Sequence, residues 1–141
     1  SFQKNIELMI NVFFELNKTK KVHLVVMGVG HHVGQLDSVR TLITKLGMQN
    51  DVTLLNWTEQ SDVFHIIKNA LLYISTARYE GLPYSVIESL ALSKPCIVSD
   101  CDGNRDLIQH GYNGYIVKNE NIMDFKNNIL FFRDGDGNNN I

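Results

Sequence analysis

This chain of 141 residues has few cysteines, no long apolar run and no excess of charge, and each shortage excludes a class of protein. The two cysteines, Cys96 and Cys101, are too few for a disulfide framework. With no histidine or further cysteine at ligand spacing, they do not form a zinc site either, and Cys96 lies in an apolar run typical of a core residue. No apolar run approaches the length of a transmembrane helix. We therefore expect a cytoplasmic protein, with the inner face of the membrane as an alternative location.

The charge balance excludes a nucleic-acid partner. Thirteen Lys and Arg residues stand against fifteen Asp and Glu residues, which gives a net charge of -2. Nucleic-acid-binding domains carry clustered basic residues, and no such cluster is present. A hydrophobic content of 44% with 20% charged residues is typical of a globular domain with its own core.

Short apolar runs alternate with amphipathic segments along the chain. The runs that predict strands are 22–27, 52–55, 71–74, 95–98 and 115–117, and the predicted helices are 5–16, 35–46, 60–67, 83–92, 104–109 and 122–132. This alternation predicts an α/β fold, a Rossmann-like doubly wound parallel sheet with helices on both faces. Residues 1–133 are predicted to form a single domain, and residues 134–141, rich in Asp, Gly and Asn, a flexible tail.

The first predicted element is a helix, whereas an α/β unit usually starts with a strand. We therefore expect that the first strand lies upstream of Ser1 and that the chain is a fragment. In open parallel sheets, ligands bind outside the carboxyl ends of the strands. The loops 28–35, 56–61, 75–83 and 99–105 should accordingly gather at one edge.

The most informative stretch is 78–88, which joins a predicted buried strand to a helix. Gly81 allows a sharp turn, and Pro83 is expected in the first helical turn, where its missing N–H costs nothing. Glu80 lies at the end of the strand and Glu88 on the helix that follows. A helix N-terminus binds anions and a carboxylate accepts ribose hydroxyls, so the pattern favours a nucleotide site. The alternative is structural, with Glu80 capping the helix and Glu88 on its surface.

Gly28 and Gly30 follow another predicted strand, as in a dinucleotide-binding turn. The third glycine comes late, at Gly34, so the complete G-x-G-x-x-G pattern is absent. A turn that approaches a ligand and an ordinary tight strand-to-helix turn both remain open.

Residues 80–88, EGLPYSVIE, resemble the E-x7-E signature of retaining glycosyltransferases with the two-domain GT-B fold, particularly glycosyltransferase family 4. The segments 94–106 (KPCIVSDCDGNRD) and 111–117 (GYNGYIV) resemble its G-x-P-V-V-A-T-D-x-G-G-x-x-E and G-x-N-G-x-L-V segments. MGVG at 27–30 resembles its G-x-G loop, and QKN at 3–5 the start of its first helix. These matches cover nearly the whole chain in the right order.

The resemblance implies a donor-binding C-terminal domain. It assigns the ribose to Glu88, the hydroxyls of the donor sugar to Glu80 as the candidate catalytic residue, and the diphosphate to Lys4. Backbone N–H groups after Glu80 would face the sugar and diphosphate, and the loop around Trp57 would frame the base. The implied donor-binding set is Lys4, Gly28, Gly30, Trp57, Arg78, Glu80, Gly81, Leu82, Tyr84, Ser85 and Glu88.

The implied reaction transfers a sugar from a UDP- or GDP-hexose to a glycan or glycolipid, in bacterial surface polysaccharide biosynthesis. No metal or other cofactor is expected, because a helix dipole with Lys and Arg can stabilise the departing diphosphate. The expected partners are the nucleotide-sugar and an acceptor-binding N-terminal domain, through which alone the protein would associate with membranes.

That domain, the family's final helix and the first strand with its arginine are not in this chain, and Asp106 replaces the more usual glutamate. The fragment alone should therefore bind its donor weakly and transfer nothing. The alternatives are an enzyme similar to nucleotide-sugar epimerases and a non-catalytic α/β binding module.

Overall fold

A computed structural model describes residues 3–28, 34–56 and 58–134. Within these ranges helices and strands alternate, which confirms the predicted α/β class. The helices are α1 (Ile6–Asn17), α2 (Gln35–Lys45), α3 (Gln60–Lys68), α4 (Tyr84–Ala91), α5 (Asp102–Leu107) and α6 (Ile122–Arg133). The strands are β1 (Leu24–Met27), β2 (Val52–Leu55), β3 (Tyr73–Ser75), β4 (Cys96–Ser99) and β5 (Gly114–Val117).

Among the residues that the structure describes, every strand pair is parallel, as predicted, but the strands form two sheets instead of one. β1 pairs with β2, and β4 lies between β3 and β5. In the described part of the chain, β1 and β3 are not hydrogen-bonded to each other. A single apolar core nevertheless includes Leu24 and Val26 of β1 with Ile74 of β3 and Ile97 of β4. One apolar cluster therefore joins the two sheets, and the single domain over residues 1–133 stays a prediction.

Helix α1 contributes most to this core. Ile10, Phe13 and Leu16 recur at three-residue spacing and are almost completely buried, and the helix packs against α6 and α2. Burial of each such side chain contributes about 1.5–3 kcal/mol. None of the helices in the described ranges has both the length and the apolar character needed to cross a membrane.

A second apolar cluster lies beneath α4. Val86 of α4 packs there with Cys96, Val98 and Ile108. Cys96 is completely buried, as the sequence predicts, and burial raises the pKa of its thiol to about 12. Its thiolate is therefore not available near neutral pH.

Several element boundaries differ from the predictions. Helix α5 covers Asp102–Leu107 instead of 104–109, because Cys101 is extended and the chain turns helical directly after it. Pro83 precedes α4 as its N-cap instead of lying in its first turn. β3 and β4 lie one or two residues later than expected. Residues 135–141, most of the predicted tail, are outside the described ranges.

Candidate functional site

The loops at the carboxyl ends of the strands contact one another in pairs. After β1 and β2, the Gly28 amide donates to the Asn56 carbonyl at 3.2 Å. After β3 and β4, the Gly103 amide donates to the Glu80 carbonyl at 2.8 Å. The described parts of these loops therefore approach each other within each pair, and the gathering of all four at one edge stays a prediction.

The main chain of Glu80 is fixed by α5. A Cβ atom at Gly103 would lie 2.4 Å from the Glu80 carbonyl oxygen and 2.7 Å from that of Gly81, which no real side chain tolerates. Only glycine fits at position 103. The carboxylate of Glu80 lies 2.9 Å from the Lys4 ammonium group, with the Glu80 side chain 15% exposed and Lys4 54% exposed.

The turn that carries Lys4 is held by the loop after β3. The Thr76 hydroxyl lies 3.1 Å from the Lys4 carbonyl and 2.9 Å from the Asn5 carbonyl, so its single proton is shared between them. The Arg78 amide donates to the Gln3 carbonyl at 2.7 Å. These contacts place Lys4 beside Glu80, two residues that are 76 positions apart in the chain.

One carboxylate oxygen connects this turn to the loop before α6. Glu120 Oε1 accepts from Asn5 Nδ2 at 3.0 Å and from Arg78 Nε at 3.1 Å. Asn5 is buried and has a left-handed backbone with φ of 52°, and Glu120 has the same φ. Glu120 therefore contributes to the position of Arg78 and of the turn that carries Lys4.

Helix α4 begins after Pro83, and no side chain of the described residues caps its N-terminus. The amides of Val86 and Ile87 donate to the Pro83 carbonyl at 3.1 and 3.2 Å. The amides of Tyr84 and Ser85 precede them, where an α-helix supplies no acceptor. Such N–H groups and the helix dipole together attract an anion.

The approach to this helix end is open to solvent. Leu82 is 55% exposed and Tyr84 68% exposed. Gly81 is exposed too, and a Cβ atom there would meet nothing within 4 Å. A ligand can therefore reach the backbone just before α4.

Glu88, in the middle of α4, is half-buried and its two oxygens differ. Oε1 accepts a hydrogen bond at 2.8 Å from Nε2 of Gln60, which is the first residue of α3. Oε2 is covered by protein and has no hydrogen-bond partner among the described residues. A buried acceptor without a donor costs about 1–3 kcal/mol, so a hydroxyl donor at this oxygen would be favourable.

Tyr73 of β3 lies beneath the start of α4. Burial raises the pKa of its phenol to about 12, with a hydrogen bond from Ser85 opposing the rise and the charges of Cys96, Glu80 and Glu88 adding to it. The phenol is thus neutral at physiological pH. The side chain of Ser85 contacts Tyr73. The backbone N–H of Ser85 is therefore the group that a ligand could contact.

Gly28 closes β1 with φ of 75°, a conformation that suits glycine. Gly30 and Trp57 lie outside the described residues, so their predicted roles stay predictions. In the described ranges, no group of three or more His, Cys, Asp or Glu side chains could hold a metal ion. The expectation that donor binding needs no metal also stays a prediction.

The sequence reasoning missed Gln60, Thr76, Gly103 and Glu120. Gly103 lies in the segment that resembles the family's T-D-x-G-G sequence, and a glycine inside a short helix is a usable signal of close packing. No periodic pattern distinguishes Gln60, Thr76 or Glu120, because each acts on a partner that is distant in the chain.

Three comparisons place the chain among known proteins. The family model for glycosyl transferases group 1 matches residues 1–139. Poly(ribitol-phosphate) alpha-N-acetylglucosaminyltransferase from Staphylococcus aureus (strain COL) is 29% identical over 129 residues, which cover 90% of this chain and 25% of that enzyme. Three other curated relatives are covered over only 19–22% of their length, so this chain spans a quarter or less of these proteins.

Solved structures agree on the fold. A mutant of S. aureus TarM, in complex with Fondaparinux, alpha-GlcNAc-glycerol and UDP, superimposes with a TM-score of 0.85 at 29% identity, over 95% of this chain and 27% of that one. Anabaena HepE in complex with UDP-glucose gives a TM-score of 0.84 over 99% of this chain and 37% of that one. Its 18% identity supports the fold alone. Because the family model matches nearly the whole sequence, this chain belongs to the family of glycosyl transferases group 1.

Proposed function

We propose that this chain is the donor-binding domain of a retaining glycosyltransferase of family 4. The complete enzyme would transfer a sugar from a UDP- or GDP-hexose to a glycan or glycolipid in bacterial surface polysaccharide biosynthesis. The observation that carries the proposal is Glu88 Oε2, a covered oxygen without a donor among the described residues, on the helix whose uncapped N-terminus is open to an anion. A nucleoside diphosphate supplies both a hydroxyl donor and the anion.

The activities and bound ligands of similar proteins support a nucleotide-sugar as the substrate. The staphylococcal relative is an N-acetylglucosaminyltransferase that acts on poly(ribitol-phosphate). TarM was solved with UDP and HepE with UDP-glucose. These similarities favour a uridine nucleotide, with GDP as the alternative.

In this proposal the diphosphate lies at the start of α4. The backbone N–H groups of Gly81, Leu82, Tyr84 and Ser85 and the ammonium group of Lys4 stabilise the charge that develops on the leaving diphosphate. This stabilisation lowers the barrier to cleavage of the bond between sugar and phosphate. The acceptor hydroxyl attacks the anomeric carbon from the side of the departing diphosphate and gives its proton to a diphosphate oxygen, so the anomeric configuration is retained.

Glu80 and Arg78 complete the proposed site. Glu80, paired with Lys4 at 2.9 Å, accepts hydrogen bonds from the hydroxyls of the donor sugar. Arg78, held by Glu120, adds positive charge at the same edge. Glu80 and Glu88 do not act as the paired carboxylates of glycosidases, because Glu88 serves the ribose.

We further propose that a strand and an acceptor-binding domain from a longer polypeptide complete this domain. Helix α1 starts at the carboxyl ends of the strands, where Asn5 contacts Thr76, and ends near the amino end of β1. A helix with this course usually returns from a preceding parallel strand, and β1 and β3 each pair with one strand among the described residues, which leaves each an edge where such a strand could pair. The 141-residue chain alone should bind its donor weakly and transfer no sugar. A cytoplasmic location at the inner face of the membrane belongs to the same proposal.

Titration with UDP and GDP tests the nucleotide site. In the polypeptide as the cell makes it, Glu88→Ala should lower the affinity for the preferred nucleotide about 10- to 100-fold, the value of hydrogen bonds to a charged group. Glu15→Ala, which removes a carboxylate at the far end of α1, is the matched control and should leave the affinity unchanged. Calorimetry gives both affinities directly.

Two outcomes would contradict the proposal. If the wild-type protein binds neither UDP nor GDP, the domain is a binding module of another kind. If it binds one of them and Glu88→Ala binds equally well, the ribose does not contact Glu88.

A further inference from the structure

Gln60 and Glu88 form the side-chain contact between α3 and α4 at the candidate site. Gln60 is the first residue of α3, and its Nε2 lies 2.8 Å from Glu88 Oε1. Only the NH2 group of a glutamine amide can donate, and an ionised carboxylate only accepts, so the direction of this bond is fixed. Glu59, which precedes Gln60 as the N-cap of α3, makes no side-chain cap hydrogen bond.

This bond restricts the Glu88 carboxylate. A glutamate side chain has three rotatable bonds, and a hydrogen bond to the charged group selects one arrangement of them. A carboxylate offers about four acceptor positions in all, of which Gln60 takes one on Oε1. Oε2, which has no donor among the described residues, retains its acceptor positions. The contact with Gln60 therefore orients Glu88 and leaves acceptor positions on the carboxylate unfilled by the described residues.

We propose that Gln60 is a positioning residue that fixes the Glu88 carboxylate for the ribose and thereby determines how strongly the site prefers a ribonucleotide to a 2′-deoxyribonucleotide. This inference rests on the proposed function, since it assigns the ribose to Glu88. Gln60 itself need not touch the ligand. A carboxylate that is already oriented loses less conformational entropy on binding, and the ribose hydroxyls gain the full benefit of their hydrogen bonds.

The test compares UDP with 2′-deoxy-UDP in four variants. Gln60→Met keeps the length and helix preference of the side chain and removes the donor. Gln60→Lys keeps a donor of similar reach. Ser61→Ala, at the next and likewise exposed position of α3, is the matched control for helix effects. Glu88→Ala serves as the background for a double-mutant cycle, because a positioning residue has no effect once its partner is removed.

The expected result concerns the ratio of the two affinities. Gln60→Met should weaken UDP binding about tenfold and 2′-deoxy-UDP binding about twofold or less, so the preference for the ribonucleotide falls. Gln60→Lys and Ser61→Ala should keep the ratio within about twofold of wild type, since the donor is retained in both. In the Glu88→Ala background, Gln60→Met should change neither affinity.

Other results would overturn the inference. A merely structural role would weaken both nucleotides equally in Gln60→Met and would persist in the Glu88→Ala background. Unchanged UDP binding in Gln60→Met would show that Gln60 does not position Glu88. Failure of the proposed function is distinguishable from both, because wild-type protein would then bind neither nucleotide or show no preference for UDP.

Discussion

The Glu80 and Glu88 halves of the site are held in different ways. On the Glu80 side the main chain itself is fixed, by the Gly103 amide on the Glu80 carbonyl and by the Arg78 amide on the Gln3 carbonyl. On the Glu88 side, within the described ranges, the side chain of Gln60 orients the carboxylate. The backbone contact at Gly103 requires that no Cβ atom lies between the two backbone segments, whereas the contact at Glu88 requires only the amide donor of Gln60. Substitutions that disturb the main chain of the Glu80 half should therefore act mainly on stability, and those in the Glu88 half on ligand selectivity.

The two halves also differ in where they carry unfavourable energy. Asn5, Asn119 and Glu120, near the Glu80 side, have left-handed backbones with φ between 52° and 59°. Each such residue costs about 1–2 kcal/mol in the folded protein. On the Glu88 side the cost is a covered oxygen with no donor among the described residues. A ligand hydroxyl can relieve the second cost but not the first.

Gly103→Ala should have the largest effect, because it separates α5 from the Glu80 turn. The new Cβ would lie 2.4 Å from a backbone oxygen, so the turn must move. We expect a loss of about 3 kcal/mol in the free energy of unfolding, near the upper end for overpacking in a packed interior. Urea denaturation measures this loss.

Gly81→Ala is the matched control for stability, since Gly81 is on the other side of the same contact and a Cβ there meets nothing within 4 Å. Its free energy of unfolding should change by less than about 0.5 kcal/mol, as for a surface substitution. Equal stability of the two variants would show that α5 does not fix the Glu80 turn.

Lys4→Ala should separate ligand binding from stability within the Glu80 half. The pair with Glu80 is too exposed on the Lys4 side to stabilise the fold by more than about 1 kcal/mol. UDP affinity should nevertheless fall about tenfold, because a charge-assisted contact with the diphosphate is lost. Uridine, which has no phosphate, should bind both proteins equally. A tenfold loss for uridine as well would assign Lys4 a structural role.

Tyr73→Phe should have the smallest effect, which appears in the free energy of unfolding at alkaline pH. The pKa of Tyr73 is about 12 in the folded protein against 10.0 for the ordinary group, so its stabilising contribution is complete below pH 10 and is lost as pH rises toward 12. Between pH 8 and about pH 10.5, wild type should lose about 0.8 kcal/mol more than Tyr73→Phe in the free energy of unfolding. Equal losses would mean that the phenol is not buried beneath α4.

Much of the fold could be predicted from the sequence. The apolar runs at 52–55 and 115–117 lie within the observed β2 and β5, and the alternation of elements indicated parallel strands. β4 is buried throughout and is apolar except for its last residue, Ser99, whereas β2 and β5 are only partly buried. The chain's connectivity also predicted that the loops at the carboxyl ends meet.

The details of the site could not be predicted, because they depend on contacts between distant residues. Gln60 and Glu88 are 28 residues apart, and Asn5 and Glu120 are 115 apart. The predicted start of α5 at residue 104 is wrong because glycine disfavours helices in isolation. The packing of Gly103 against the Glu80 turn explains why the helix includes it. The division into two sheets also depends on tertiary pairing that no local pattern reports.

The most direct test of the central claim is a crystal structure of the protein with UDP bound. The account predicts ribose hydroxyls within hydrogen-bond distance of the Glu88 carboxylate and the diphosphate at the backbone amides of Tyr84 and Ser85. A groove of about 420 Å³ lies alongside α3, lined in part by Asn56, Thr58, Asp62 and His65. UDP bound in that groove, with Glu88 untouched, would contradict the account.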